Sequence, residues 1–367
     1  MKKFRFEFLI SLIIIIILLQ PIYAIGVLKH EKELNNLRNV SESIWKRDPE
    51  FMKLQEKLIN KFPTKNYSVK LLSEIEYRIF GESKNVIIGL DGYLSDKVVA
   101  RQLLTLDETD LISLRESAVK LSKIDRYLSK KNKKFIVVVI PLKPTLYKEK
   151  YPGPLAKRQG VALLKFQQQL NDLGVEYIDL YEPMLANKKI HELFYKTDFH
   201  WNTAGSAVAA KEIVDYLSKQ YYGAKIFNEN FESSKELFVG VESNSMSLIK
   251  PISENSEKYL STTLDYKIVQ DKPWEVFTST NMRKSLLPKT LMFGNSFMLY
   301  YRYSGMQNYF KEFTEILDYT DFKNLSKYVN NEEEIVILNL YETQILFHLI
   351  EGDQSLYWPQ DVLGMNF

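Results

Sequence analysis

The chain has 367 residues with 45% hydrophobic and 26% charged content, enough to bury one large core or two modest ones. Its 49 basic and 46 acidic side chains leave a net charge of +3, without an arginine-rich patch, which speaks against a nucleic-acid binder. There is no cysteine, so disulfides and thiolate metal sites are excluded.

At the N-terminus, Met1-Lys2-Lys3-Phe4-Arg5 forms a basic head before an apolar stretch, Phe8 to Leu19, broken only by Ser11. A basic head of this kind stays in the cytoplasm while the body is translocated. Two readings stand: an uncleaved anchor over Phe8 to Leu28, close to the roughly 20 apolar residues a span needs, or a signal peptide cut near Tyr23-Ala24. Both put the body outside, and we assign residues 1–28 to this segment. Residues 29–64 are charged and helix-compatible, with Leu34, Leu37, Ile44, Leu54 and Leu58 at irregular helical spacing. They read as a stalk or as the first helix of the fold, and residues 65–367 as the main domain.

Tyr67 to Phe80 is a further helical candidate, and Val86-Ile87-Ile88-Gly89-Leu90-Asp91-Gly92-Tyr93-Leu94 reads as a hairpin turning at Asp-Gly. Asp107 to Lys131 carries an apolar stripe of Leu111, Leu114, Val119, Leu121, Ile124 and Leu128, which predicts a long amphipathic helix. It runs into Phe135 to Ile140, a continuous β-branched run that predicts a parallel strand covered on both faces. A helix over Leu155 to Leu173, stopped by Gly174, then leads to a short strand at Val175 to Asp179, completing a right-handed βαβ unit. Asn202 and Thr203 are helix-start residues for Ala204 to Tyr216. Residues 225–285 switch to short alternating segments and predict a β-rich insertion, whose Trp274 and Phe277 suit either sugar stacking or a local core. The α/β pattern resumes at Leu291 to Ser296 and again at Glu334 to Leu340. The expected fold is α/β, a parallel sheet flanked by helices.

Chemistry concentrates where the strand Thr290-Leu291-Met292-Phe293 ends in Gly294-Asn295-Ser296. Open α/β sheets hold their sites beyond the carboxyl ends of strands, and Gly294 is expected to give the turn its conformational freedom. Ser296 is thus a candidate nucleophile, which needs a base. Of four histidines, His30 adjoins the N-terminal stretch, His191 lies in a charged run and His348 in an apolar one. His200, in Thr197-Asp198-Phe199-His200-Trp201-Asn202, has a carboxylate two residues before it that can hold its Nδ1 proton and leave Nε2 for a serine. Gly-x-Ser after an apolar run and Asp-x-His in a loop each have ordinary structural explanations, a tight turn and a capped loop. Together, Asp198, His200 and Ser296 complete a triad. Scattered histidines and the lack of a Gly-x-x-x-x-Gly-Lys loop point to neither a metal nor a phosphate-binding cofactor.

Four blocks, Gly89 to Leu94, Ile140-Pro141-Leu142-Lys143-Pro144-Thr145-Leu146-Tyr147, Thr197 to Asn202 and Gly294 to Phe297, resemble the SGNH-hydrolase-like proteins of the alginate O-acetyltransferase family. They occur in the family's order, with Asp-x-His before the serine, although Asn295 stands where members often have aspartate. The resemblance implies a Ser-His-Asp acyl transfer to a secreted or cell-surface polysaccharide, with Ser296, His200 and Asp198 as the triad. It also implies a multi-spanning membrane O-acyltransferase as acetyl donor, since coenzyme A is not available outside the membrane. Lys143, Tyr147, Trp201 and Asn295 are candidates for acceptor binding, Lys143 being equally readable as a solvated loop charge. A polysaccharide acetylesterase and a non-catalytic glycan-binding subunit of an export complex remain as alternatives.

Overall fold

The computed structural model describes residues 65–100, 107–151, 153, 160–221, 223–270, 275–280, 286–317, 319–329, 332–345 and 358–365. The anchor or signal segment, the stalk and Trp274 lie outside the described residues. Among those described, no helix is long and apolar enough to cross a membrane.

The chain divides into two units, Met1–Phe80 with Ser247–Ile249, and Gly81–Met246 with Lys250–Phe367. In the first, helix α1 (Lys65–Ile75) runs into a wider turn over Glu76–Phe80. An Arg78–Glu74 ion pair at 2.5 Å lies across that junction, and the second Glu74 oxygen accepts from the Ile249 amide at 3.2 Å.

The second unit opens on the expected hairpin. Strands β1 (Val86–Ile88) and β2 (Leu94–Asp96) pair antiparallel. Asp91 and Gly92, at φ 55° and 81°, supply the left-handed turn. Helix α2 (Glu108–Lys130) buries Leu114, Leu121, Ile124 and Leu128, four of the stripe positions, and packs on β3 (Lys134–Ile140) and on α3 (Val161–Asp172). From Phe135 to Ile140 every residue of β3 is buried, which is why the run is uniformly apolar rather than alternating. Strand β4 (Tyr177–Asp179) pairs parallel with β3 after α3, the predicted unit; the start of the predicted helix, before Gly160, lies outside the described residues. Helix α4 (Thr203–Gln220) follows, with the Asn202 side chain accepting from the Ala204 and Gly205 amides as its cap.

The described residues within 225–285 form two things instead of one insertion. Strands β5 (Phe231–Phe238) and β6 (Glu254–Ser261) make a separate antiparallel ribbon. By contrast, β7 (Tyr266–Gln270) and β8 (Glu275–Ser279) extend the central sheet. That sheet has seven strands in the order β4-β3-β11-β9-β10-β8-β7, where β9 is Thr290–Phe293, β10 Glu312–Ile316 and β11 Ile335–Tyr341. Its first five strands are parallel, and β8 and β7 add antiparallel at the β10 edge. Phe277, on β8, is accordingly a core residue packed edge-on against Tyr266, not a sugar platform. Strand β9, at the middle of the sheet and wholly buried, ends just before Ser296.

Candidate active site

Ser296 begins a short 3-10 turn, Ser296–Tyr300, three residues beyond the end of β9. The turn is shaped by Asn295, whose Oδ1 accepts from the Phe297 amide at 3.0 Å while its Nδ2 donates to Gln344 Oε1 at 2.7 Å. Asn295 is thus spent on positioning the serine. Gly294 is needed for space and not, as expected, for backbone freedom, since it is absent from the positive-φ positions. A Cβ there would meet Met298 Sδ at 2.3 Å and Asn339 Cβ at 3.1 Å.

His200 sits in a tight loop closed by a Phe194–Trp201 bridge. His200 Nε2 lies 2.6 Å from Ser296 Oγ and Nδ1 lies 2.7 Å from Asp198 Oδ1. Asp198 is almost fully buried, which opposes ionisation, but the ring and amide of His200 and the Val241 amide outweigh that and hold its carboxyl below the usual range. An ionised carboxylate only accepts, so the proton sits on Nδ1 and the Nε2 lone pair faces the serine hydroxyl. The three residues therefore form a continuous relay ending in an exposed hydroxyl. Phe199, 4.0 Å from the imidazole between ring centroids, and Phe297, at 4.8 Å, pack against the histidine and restrict its rotation.

Much of what holds the Asp198 loop comes from far along the chain. Glu254, on β6, accepts from the Lys196 and Thr197 amides at 2.9 and 2.8 Å and from the Thr197 hydroxyl at 2.7 Å. Val241 N donates to Asp198 Oδ2 at 2.8 Å, and Gly240 N donates to the Thr197 hydroxyl at 3.1 Å. Gly240 is obligatory here, because a Cβ would stand 2.1 Å from the Thr197 carbonyl oxygen and 2.6 Å from Asp198 Cβ.

Three of the expected acceptor-binding residues have structural posts. Trp201 is fully buried and its indole N–H donates to the Phe297 carbonyl at 3.1 Å, tying the residue after His200 to the residue after Ser296. It belongs to the core because the aromatic cluster with Phe297 and Tyr301 encloses it. Tyr147 is buried and its hydroxyl accepts from the Leu193 amide at 2.9 Å, while burial pushes its phenol well up. Lys143 is not a solvated charge: it is wholly buried just beyond the end of β3, at the wall of the smaller hollow described below. Its ammonium donates to the carbonyls of Tyr195, Lys196 and Asp198 at 3.2, 3.0 and 2.7 Å and pairs with Glu242 at 2.5 Å. Burial raises the Glu242 carboxyl to about 7 despite the lowering effect of that partner. Glu242, Glu254 and Val241 carry no motif of their own; the only sequence signal for them is that something must pair a buried lysine and cap an Asp-x-His loop.

Two hollows lie near the relay, one walled by Tyr300 and one by Phe199, both rings that neighbour the imidazole. One, of about 390 Å³, is lined by Tyr195, Glu236, Lys258, Leu299, Tyr300 and Tyr303 among others, with the Tyr300 ring 5.9 Å from the imidazole. The other, of about 250 Å³, lies on the Phe199 side against Leu142, Pro144 and Tyr341.

The chain is 26% identical over 164 residues to a probable alginate O-acetylase AlgJ of Azotobacter vinelandii, covering 41% of this chain and 39% of that one. With the protein of the same name from Pseudomonas aeruginosa it shares 25% over 158 residues, 41% of this chain and 38% of that one. The match thus spans about two fifths of the length of these curated relatives. Its fold resembles the O-acetyltransferase domain of Pseudomonas putida AlgJ, with a TM-score of 0.54 at 17% identity over 76% of this chain and 97% of that one. The family model for the SGNH hydrolase-like domain of acetyltransferase AlgX matches residues 93–305, more than half of the chain and inclusive of Asp198, His200 and Ser296, and the chain belongs to that family.

Proposed function

We propose that the chain is an extracytoplasmic O-acetyltransferase that moves an acetyl group to a secreted or cell-surface polysaccharide through an acetyl-serine. The observation that carries the proposal is the Asp198–His200–Ser296 relay, with separations of 2.7 and 2.6 Å, ending in an exposed hydroxyl beside a groove. In the first half-reaction Ser296 Oγ attacks the acetyl carbonyl carbon of the donor and gives its proton to His200 Nε2. That proton passes to the donor's leaving oxygen as the old acyl bond breaks, leaving acetyl-Ser296. In the second, a sugar hydroxyl loses its proton to His200 Nε2, its oxygen takes the acetyl group, and Ser296 is reprotonated. Asp198 keeps the imidazole in the working tautomer, and the Ser296 N–H is one donor for the oxyanion. The names of the AlgJ relatives support a polysaccharide acceptor. The N-terminal apolar segment supports a membrane tether next to a multi-spanning acyltransferase that presents the acetyl group.

Exposure of Ser296 also gives water access, so the esterase reading is the one to separate. Full-length protein incubated with an acetyl ester and oligosaccharides should yield acetylated sugar by mass spectrometry, and Ser296→Ala and His200→Ala should each abolish donor consumption. Donor consumed without acetylated sugar would establish an esterase, and undiminished turnover in either variant would remove the relay from the chemistry.

A further inference from the structure

A row of tyrosine rings leads away from the relay. The Tyr300 ring lies 5.9 Å from the His200 imidazole, and between ring centroids Tyr195 lies 6.2 Å and Tyr303 6.4 Å from Tyr300. Tyr195 in turn stacks on Phe238 at 3.9 Å. The three tyrosines line the hollow of about 390 Å³, joined by Leu299 from the serine's own turn and by Glu236 and Lys258 from the β5–β6 ribbon. Because Leu299 and Tyr300 belong to the turn that Ser296 begins, and Tyr300 neighbours the imidazole, a chain molecule lying on these rings comes up to the serine hydroxyl.

Tyr303 is 41% exposed. An isolated exposed ring needs no explanation, but this one continues a row that ends at a catalytic base. Rings with an apolar body and a polar tip suit the C–H faces and hydroxyls of pyranoses, and the spacing along the row is on the scale of one sugar residue. The Glu236 carboxylate, which accepts from the Tyr195 hydroxyl at 3.3 Å and pairs with Lys258 at 3.2 Å, adds acceptor and donor groups for sugar hydroxyls on the same wall. Acetyl-Ser296 is resolved by whichever hydroxyl His200 Nε2 deprotonates beside it. Sugar yields the transferred ester and water yields acetate; in both cases the bond from Oγ to the acetyl carbon breaks and the proton returns to Oγ. A sugar held against the rings gains an effective concentration that passing water does not.

Resting on the transfer reading above, we infer that the surface formed by Tyr195, Tyr300 and Tyr303 is the acceptor subsite, on which pyranose rings of the polysaccharide stack, and that Tyr303 determines how acetyl-Ser296 is divided between sugar and water. Tyr303 acts through the acceptor and has no part in the hydrogen bonds of the relay.

The test uses the full chain with 4-nitrophenyl acetate as donor and cellohexaose, maltohexaose and hexagalacturonate as acceptor probes. Acetylated sugar is read by mass spectrometry, free acetate by an enzymatic assay, and binding of each hexamer without donor by titration calorimetry. The wild type should bind and acetylate at least one hexamer. For that hexamer Tyr303→Ala should lower the ratio of acetylated sugar to free acetate at least about fivefold, the order of one aromatic contact, and weaken binding in step. Tyr303→Phe keeps the ring and should hold the ratio within about twofold of the wild type. A merely structural role for Tyr303 would slow donor consumption without moving the ratio. With a wild type that transfers, an unchanged ratio in Tyr303→Ala, or a loss in Tyr303→Phe as large as in Tyr303→Ala, would overturn the inference and leave the transfer reading standing. Binding of no hexamer, or hexamer binding that Tyr303→Ala leaves untouched, would overturn it as well. Failure of the wild type to acetylate any hexamer, with a hexamer that binds and is weakened by Tyr303→Ala but not by Tyr303→Phe, would count against the transfer reading alone and leave the subsite supported.

Discussion

Replacing Lys143 with methionine probes what supports the Asp198 loop without touching the relay itself. The side chain is fully buried and donates to three backbone carbonyls of the loop, and its removal also strips Glu242, equally enclosed, of its cation. Breaking a buried pair by deleting one partner costs about 3–5 kcal/mol, most of it for the charge left behind. Glu242 has an escape, because its carboxyl titrates at about 7 even with Lys143 present and will titrate higher without it. The sign follows from proton counting. In the variant the folded state keeps a proton that the unfolded chain releases from about pH 4.5 upward, so its stability falls with pH over a wider range than in the wild type. The variant's deficit in urea unfolding should therefore be near the lower end of that range, about 3 kcal/mol, at pH 5.5, and clearly larger at pH 8. The double variant Lys143→Met with Glu242→Gln should recover part of it, most at the higher pH. Turnover should fall with kcat affected more than KM, since the Asp198 carbonyl loses its anchor while the groove residues stay in place. A deficit under about 1 kcal/mol, or one that does not change with pH, would refute the account of a buried cation clamping the loop.

Asp198→Asn removes the charge that selects the Nδ1–H tautomer, and kcat for ester hydrolysis should drop by about 10⁴, measured under saturating substrate. Gly240→Ala forces a methyl against the Thr197 carbonyl and Asp198, and should cut kcat by at least about tenfold while near-UV circular dichroism retains a folded signature; normal activity would show the turn has slack. Glu315 is fully buried on β10, held by Gln307 at 2.7 Å, and burial pushes its carboxyl up to about 8. The folded state holds this proton between about pH 4.5 and 8 where the unfolded chain has lost it, so the wild type loses stability across that window and Glu315→Gln should gain most at pH 8. Thermal midpoints for the pair at pH 5 and 8 check this, and an equal difference at both would contradict it.

Features set by neighbours in the chain could be read from the sequence alone. The continuous apolar run of Phe135 to Ile140 announced a doubly covered strand, Asp91-Gly92 a hairpin turn, and Asn202 a helix cap, because each depends on local sterics or on hydrogen bonds within a few residues. The relay was legible for a related reason: with four histidines in the chain, only His200 has a carboxylate two residues before it, and that pair closes on itself at 2.7 Å. Burial, by contrast, is decided by segments distant in sequence. Lys143 and Trp201 look like candidates for a groove until Glu242, 99 residues later, and Phe297, 96 residues later, come to meet them. The same holds for β7 and β8, whose alternating pattern specifies strands but not partners; their place on the central sheet exists only because β10, downstream, offers an open edge. Ser296 and His200 each follow from a local motif, but the 2.6 Å between them belongs to the tertiary structure, which brings the end of β9 to the Asp198 loop and locks it there with a tryptophan, a lysine and two distant glutamates.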